Sequence, residues 1–352
     1  MNDKNSNLEK KRTMNRCPTI ITTTNNDNNI EKVNLGDFEL KEKIGKNGYG
    51  YIKICKNTKT NKIFAMKILK KCDLLQSKIV EHITSEFKVL SSVYHPFIIE
   101  LKGINCTDPY SLYFLLEYVP GGDLNSLIKT NKRLPLEHAK FYLGSLVTAL
   151  DYLHKKNIIY RDLKPENILI NSNGYIKLKE FGYTKIMKSE MTYSLCGTPE
   201  YCSPEMINKT GHNKCVDYWG LGILLYEMLT GLTPFMDTDP MKIYQKINKG
   251  KIPFPKTMNK NAKTIIKHFL SIDINKRLGC SKKGIVEIIE HPFFDNFDWK
   301  GLLYRTIEAP FIPIVNGPMD ISNYKVIDSN YFDDDDAPIS QEKDPFYNWL
   351  NN

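Results

Sequence analysis

The sequence predicts an α+β fold of two unlike lobes, a small β-rich one and a large helical one, from three observations. Residues 38–119 hold short β-branched and aromatic runs that read as strands. Pro120-Gly121-Gly122 then interrupts the chain. From 120 to 294 apolar residues recur at helical spacing, so the second lobe differs in class from the first.

The elements follow in order. Residues 1–34 are rich in Asn, Lys and Thr and carry too little apolar surface to offset ordering entropy, which predicts a disordered segment and order beginning near Phe38. Phe38-Glu39-Leu40, Tyr51 to Ile54, Ile63 to Ile68 and Leu112 to Tyr118 read as strands, with one helix between them at Ile79 to Ser91. Across 135–156, Tyr142, Leu143, Leu146, Val147, Leu150 and Leu153 share one helical face. Further helices are predicted near 216–230, 240–249 and 260–271. Residues 295–352 mix Pro, aromatics and an acidic run, and read as an extended strap over the body.

With 41% hydrophobic and 25% charged residues, the chain can bury a sizeable core. The net charge of +9 is uneven, because Asp328, Asp333, Asp334, Asp335, Asp336, Glu342 and Asp344 gather against Lys343 alone. The basic remainder suits phosphates or solvated lysine faces, and it lacks the basic-aromatic interleaving of a nucleic-acid module. Eight cysteines without a Cys-x-x-Cys pair argue against zinc ribbons and disulfide scaffolds, and for a reducing compartment. The longest apolar stretch, Gly220 to Leu229, contains Glu227 and is too short to span a bilayer. No secretory leader is evident, so the expected location is the cytoplasm or the nucleus.

The most specific stretch is Tyr160-Arg161-Asp162-Leu163-Lys164-Pro165-Glu166-Asn167. It is followed by Glu180-Phe181-Gly182, Gly197-Thr198-Pro199-Glu200, Ser203-Pro204-Glu205 and Asp217-Tyr218-Trp219. Upstream, Gly45-Lys46-Asn47-Gly48-Tyr49-Gly50 lies between two strand patterns, a weak signal that alone suits a plain hairpin. Ala65-Met66-Lys67 lies in the next strand and Glu86 on the following helix. This succession resembles the protein kinase family over about residues 38–350. The resemblance implies a bilobal kinase domain at 38–294, with lobes at 38–119 and 120–294, and a C-terminal tail at 295–352.

By that resemblance ATP is the phosphate donor. Lys67, held by Glu86, grips its α- and β-phosphates. Asp162 accepts the hydroxyl proton and Lys164 neutralises the moving phosphate. Asn167 and Glu180 hold Mg²⁺. Gly45, Gly48 and Gly50 approach the phosphates, while Ile44, Ile52, Ala65, Leu116, Glu117, Val119 and Leu169 surround the adenine. Lys164-Pro-Glu-Asn with Thr198 is a Ser/Thr-kinase pattern. Tyr160 and Leu195-Cys196-Gly197-Thr198 resemble the AGC group, and the tail resembles the cAMP-dependent type, with the cGMP-dependent type as near neighbour. Phe346-Tyr347-Asn348-Trp349 is similar to the motif that folds back on the small lobe.

The same resemblance makes Ser194 the activation-loop phosphosite, clamped by Arg161, Lys185 and His82, against the plain alternative of a loop hydroxyl. Glu166, Glu227 and Asp123 match acids that select arginines, and Leu195, Pro199 and Cys202 match the pocket for an apolar residue after the target. The implied substrate is Arg-Arg-x-Ser/Thr-apolar. A cyclic-nucleotide-binding regulatory subunit is the implied partner, with Tyr244 on its docking surface. Tyr193 stands where the cAMP-dependent type has Trp.

Three departures cluster on the nucleotide. Asn47 replaces a loop glycine. Glu180 replaces the metal-binding Asp, which shifts its oxygens by about 1.5 Å and makes Mn²⁺ the better-tolerated metal. Lys179 precedes it, and either pairs with Glu180 or supplies positive charge to phosphates. An active kinase is therefore weighed against a pseudokinase that binds peptide or regulatory subunit, and, more remotely, against a small-molecule phosphotransferase.

Overall fold

The computed structural model describes residues 30–47, 49–325 and 338–350. The expectations for residues 1–29, for Gly48 and for Asp328 and Asp333 to Asp336 lie outside them.

Strand pairing begins earlier than the sequence predicts. Glu31–Lys32 (β1) pairs in parallel with Leu101–Asn105. Val33 is buried, and its backbone is tied by Val33 N donating to Ile104 O at 2.9 Å and Asn105 Nδ2 donating to Val33 O at 2.9 Å. Two flanking residues with unremarkable propensity are ordered by this docking. Next come β2 (Phe38–Asn47), β3 (Gly50–Asn57) and β4 (Ile63–Lys70), then helices α1 (Lys71–Gln76) and α2 (Val80–Ser92), then β5 (Leu101–Asn105) and β6 (Ser111–Glu117). They form one six-stranded sheet in the order β1-β5-β6-β4-β3-β2. Strand β4 lies inside it, between β3 and β6, and has both faces covered, so Ala65 through Leu69 are all buried and Lys67 enters the interior.

The large lobe follows the helical reading closely. Helix α3 (Leu124–Asn131) precedes α4 (Leu136–Lys155), whose predicted face of Tyr142, Leu143, Leu146, Val147, Leu150 and Leu153 is buried. Short pairs follow: β7 (Ile158–Ile159) with β10 (Lys185–Ile186), and β8 (Ile168–Ile170) with β9 (Ile176–Leu178). Helix α5 (Cys215–Thr230) is buried nearly all round, as its continuous apolar run requires. Helices α6 (Pro240–Lys249) and α7 (Lys260–Phe269) bury one stripe each. Among the described residues no helix is long and apolar enough to cross a membrane.

One cysteine contact is invisible in the sequence. Cys215 and Cys280 meet across 65 residues with Cα atoms 5.6 Å apart, the separation of a disulfide pair. Sequence spacing carries no trace of this contact because α5 and the segment after Arg277 are joined only by the fold.

The tail straps both lobes. Tyr324 OH donates to Val119 O, and Tyr118 OH donates to Asp320 O. Phe346 is fully buried, and Trp349 stacks on Phe87 of α2 with centroids 4.7 Å apart. Lys71 and Asp344 form a buried ion pair, and the Lys71 ammonium also donates to Cys106 O at 2.7 Å and Asp108 O at 2.6 Å. Asp344→Ala should lower stability by about 1–3 kcal/mol, because the ammonium keeps only carbonyl partners. Denaturant unfolding measures this, and an unchanged midpoint would show the tail's anchor to be elsewhere.

Candidate active site

The catalytic loop is held from below by a residue of α5. Asp217 is buried and accepts from Tyr160 N at 3.0 Å, Arg161 N at 2.8 Å and His154 Nε2 at 2.7 Å. Arg161 has φ +67°, a left-handed conformation that non-glycine residues rarely adopt. The two backbone N–H hydrogen bonds to Asp217 fix that turn and aim Asp162 into the cleft between lobes. Asp217 was visible in the sequence only as part of a motif, and its load falls on backbone amides that no side-chain pattern reveals.

Asp162 is buried at 5% exposure, and Oδ2 accepts from Asn167 Nδ2 at 2.7 Å and lies 3.2 Å from Lys164 Nζ. Its Oδ1 has no hydrogen-bond partner among the described residues. Burial pushes its pKa above the usual Asp value, against the pull of Lys164. A carboxylate with one oxygen fixed and the other free suits a proton acceptor. Lys164 Nζ also donates to Thr198 Oγ1 at 3.3 Å.

Lys67 reaches Glu86 at 2.6 Å and Glu180 at 3.3 Å. Burial works to lower the Lys67 pKa, but the Glu180 and Glu86 carboxylates outweigh it and hold the ammonium charged. Glu180, at φ +58°, has its pKa lowered by Lys67 first, against burial, and by Lys179 as well. The Lys179 backbone is pinned: its N donates to Asn167 O at 2.9 Å, and its O accepts from Tyr160 OH at 2.5 Å.

Lys67, Glu86, Lys179 and Glu180 line one end of a cavity. The predicted Ile44, Gly45, Ile52, Ala65, Leu116, Glu117, Val119 and Leu169 line it. Leu90, Ile99, Tyr118, Tyr324 and Lys179 line it too. The sequence reading did not assign these five to the adenine, and Tyr324 arrives from the tail, where spacing gives no guide. Gly50 does not line this cavity. A Cβ there would lie 1.9 Å from Ile68 O, so the glycine serves the approach of β3 to β4. The Glu117 carboxylate is engaged elsewhere, accepting from Glu100 N at 2.9 Å and pairing with Lys177 at 2.7 Å.

Of the three residues expected around Ser194, the structure brings one to its hydroxyl. Arg161 Nη1 donates to Ser194 Oγ at 2.7 Å. Lys185 Nζ donates instead to Thr192 Oγ1 at 2.8 Å, and His82 Nδ1 lies 3.1 Å from Gly182 O. A neutral serine hydroxyl has no charge to gather the other two. Among the peptide acids, Glu166 is exposed, while Glu227 accepts from Tyr201 OH. Burial raises the Glu227 pKa; the Tyr201 bond opposes this, and the charges of Glu166 and Glu200 add to it. Asp123 caps α3 by accepting from Ser126 N at 2.7 Å. Leu195 is exposed, Pro199 half-buried and Cys202 buried. Tyr193 is 63% exposed and Tyr244 half-buried.

The protein kinase domain family matches residues 38–294. The chain belongs to the protein kinase family. It is similar to the cAMP-dependent protein kinase catalytic subunit of Dictyostelium discoideum, 42% identical over 89% of this chain and 48% of that protein. The human cAMP-dependent protein kinase catalytic subunit PRKX is 40% identical over 88% of this chain and 85% of its own length. The cAMP-dependent protein kinase type 3 of Saccharomyces cerevisiae is 40% identical over 83% of this chain and 73% of its own length. The match thus spans about half of the Dictyostelium protein and most of the other two.

Kinase membership implies a divalent metal, and the donors fit one. The Asn167 amide nitrogen is engaged, donating to Asp162 O at 2.8 Å and Oδ2 at 2.7 Å, which leaves its carbonyl oxygen for a cation. Glu180 uses Oε2 on Lys67 and keeps its other oxygen. Both are hard oxygen donors of the kind Mg²⁺ and Mn²⁺ take, and the metal would neutralise phosphate charge. Among the described residues no group of three His, Cys, Asp or Glu side chains gathers to hold a metal, so phosphates and water would complete the shell.

Proposed function

We propose that this chain is a serine/threonine protein kinase that transfers the ATP γ-phosphate to Arg-Arg-x-Ser/Thr-apolar sequences. The observation that carries the reading is Asp162, with one oxygen fixed by Asn167 and Lys164 and the other free, beside the Lys67–Glu86 pair. The adenine sits in the apolar end of the cavity, the phosphates at Lys67, and the target hydroxyl at Asp162 Oδ1. Glu166 and Glu227, the latter also feeling the charge of Glu200, supply the negative charge for the arginines. Asp123 serves its helix first and meets arginine only with its other oxygen. Phosphorylation of Ser194 would draw Lys185 and His82 toward Arg161. A cyclic-nucleotide-binding regulatory subunit docks over Tyr244, in the cytoplasm or nucleus. Failure of any such subunit to inhibit or co-purify with the chain would remove that partner.

Glu180 favours a second reading, a binding module that transfers poorly. Phosphate transfer from labelled ATP to Leu-Arg-Arg-Ala-Ser-Leu-Gly, with Mg²⁺ and Mn²⁺ separately, separates the two. Glu180→Asp should raise the Mg²⁺-supported rate roughly tenfold or more, because it restores the shorter reach to the metal. Transfer by the native chain establishes the kinase. Transfer seen only in Glu180→Asp makes the native chain the binding module.

A further inference from the structure

At the charged end of the nucleotide cavity one of three lysines is left outside the ion pairs. Lys67 is paired with Glu86 and Glu180, and Lys164 with Asp162. Lys179 lines the same cavity, is half-buried, and forms no ion pair among the described residues. Its neighbour Glu180 reaches Lys67 through a left-handed backbone, so Lys179 acts on that carboxylate by its charge but forms no ion pair with it. The Lys179 backbone is held by Asn167 O and Tyr160 OH, which fixes where its side chain begins. A half-buried ammonium in a cleft, with no carboxylate in ion-pair contact, draws an anion.

We propose that Lys179 binds the phosphate chain of ATP directly, so that the nucleotide is held without a divalent metal. This rests on the nucleotide reading of the cavity and adds to it a second phosphate cation beside Lys67. The charge that a metal would otherwise supply for binding is thereby partly built into the chain, next to a metal ligand whose reach is altered. Metal is then needed for transfer more than for affinity.

Calorimetric titration of the full chain with ATP and with adenosine, in EDTA and in excess Mg²⁺, tests this. The native chain should bind ATP in EDTA more tightly than adenosine. Lys179→Met should weaken metal-free ATP binding at least about tenfold, the loss of one charge-assisted contact, and leave adenosine unchanged. Lys179→Arg should retain the affinity, which separates charge from packing. Equal ATP-to-adenosine ratios in the native and Lys179→Met chains in EDTA would overturn the inference while leaving the cavity a nucleotide site. Binding of neither ligand in any condition would overturn the nucleotide reading, and this inference with it.

Discussion

Asp162→Ala should lower phosphate transfer to a basic peptide by about 100- to 10,000-fold, the range a positioned proton acceptor contributes. Initial rates at saturating ATP and peptide measure it, and the peptide KM should change little because no arginine contact is touched. The loss should not come from unfolding. Burial raises the Asp162 pKa, so the folded chain holds that proton more tightly than the unfolded chain does. The sign follows: at neutral pH the ionised group works against folding, and acid pH relieves it as pH falls through the raised value. Asp162→Ala should therefore melt no lower than the native chain. The same shift places the acid limb of the native rate above the ordinary Asp range. A variant that keeps more than about a tenth of the native rate would remove Asp162 from the chemistry.

Much of this site was legible because kinase chemistry concentrates in short contiguous runs. Asp162, Lys164 and Asn167 lie within one eight-residue stretch, and their mutual bonds follow from a single turn. Lys67 and Glu86 were legible because a strand and the next helix place them. The rest depends on contacts that spacing does not encode. Asp217 acts on backbone amides from α5, and Tyr324 returns to the cavity from the tail. Glu31–Lys32 is a strand only because β5 offers an open edge. Asp123 shows a competing local rule: an Asp before a helical run is an N-cap as readily as an arginine ligand, and its bond to Ser126 N is the cap. Lys185 and His82 were assigned to a phosphate, and without that charge they satisfy nearer oxygens.

Arg277→Ala should destabilise the large lobe by about 3–5 kcal/mol, the consequence of leaving one partner of a buried ion pair alone. The pair is bidentate: Nη1 to Glu205 Oε1 at 2.6 Å and Nη2 to Oε2 at 2.9 Å, with Arg277 at 1% exposure. Its guanidinium also donates from Nε to Ser271 O at 3.0 Å and from Nη1 to Cys215 O at 3.1 Å, and lies over the Trp219 ring at 5.1 Å. Removing it strands the Glu205 carboxylate in a dry site. Denaturant unfolding should show the loss, and a double change, Arg277→Met with Glu205→Leu, should recover much of it because no charge is then left buried. An equal loss in the double variant would mean that packing over Trp219, not the charge pair, carries the stability. The effect reaches the chemistry through a short path. Cys215 opens α5, Asp217 lies two residues on, and Asp217 holds the amides of Tyr160 and Arg161. A loosened start of α5 releases the left-handed turn at Arg161, so Arg277→Ala should lose transfer activity at temperatures where its helices are still folded.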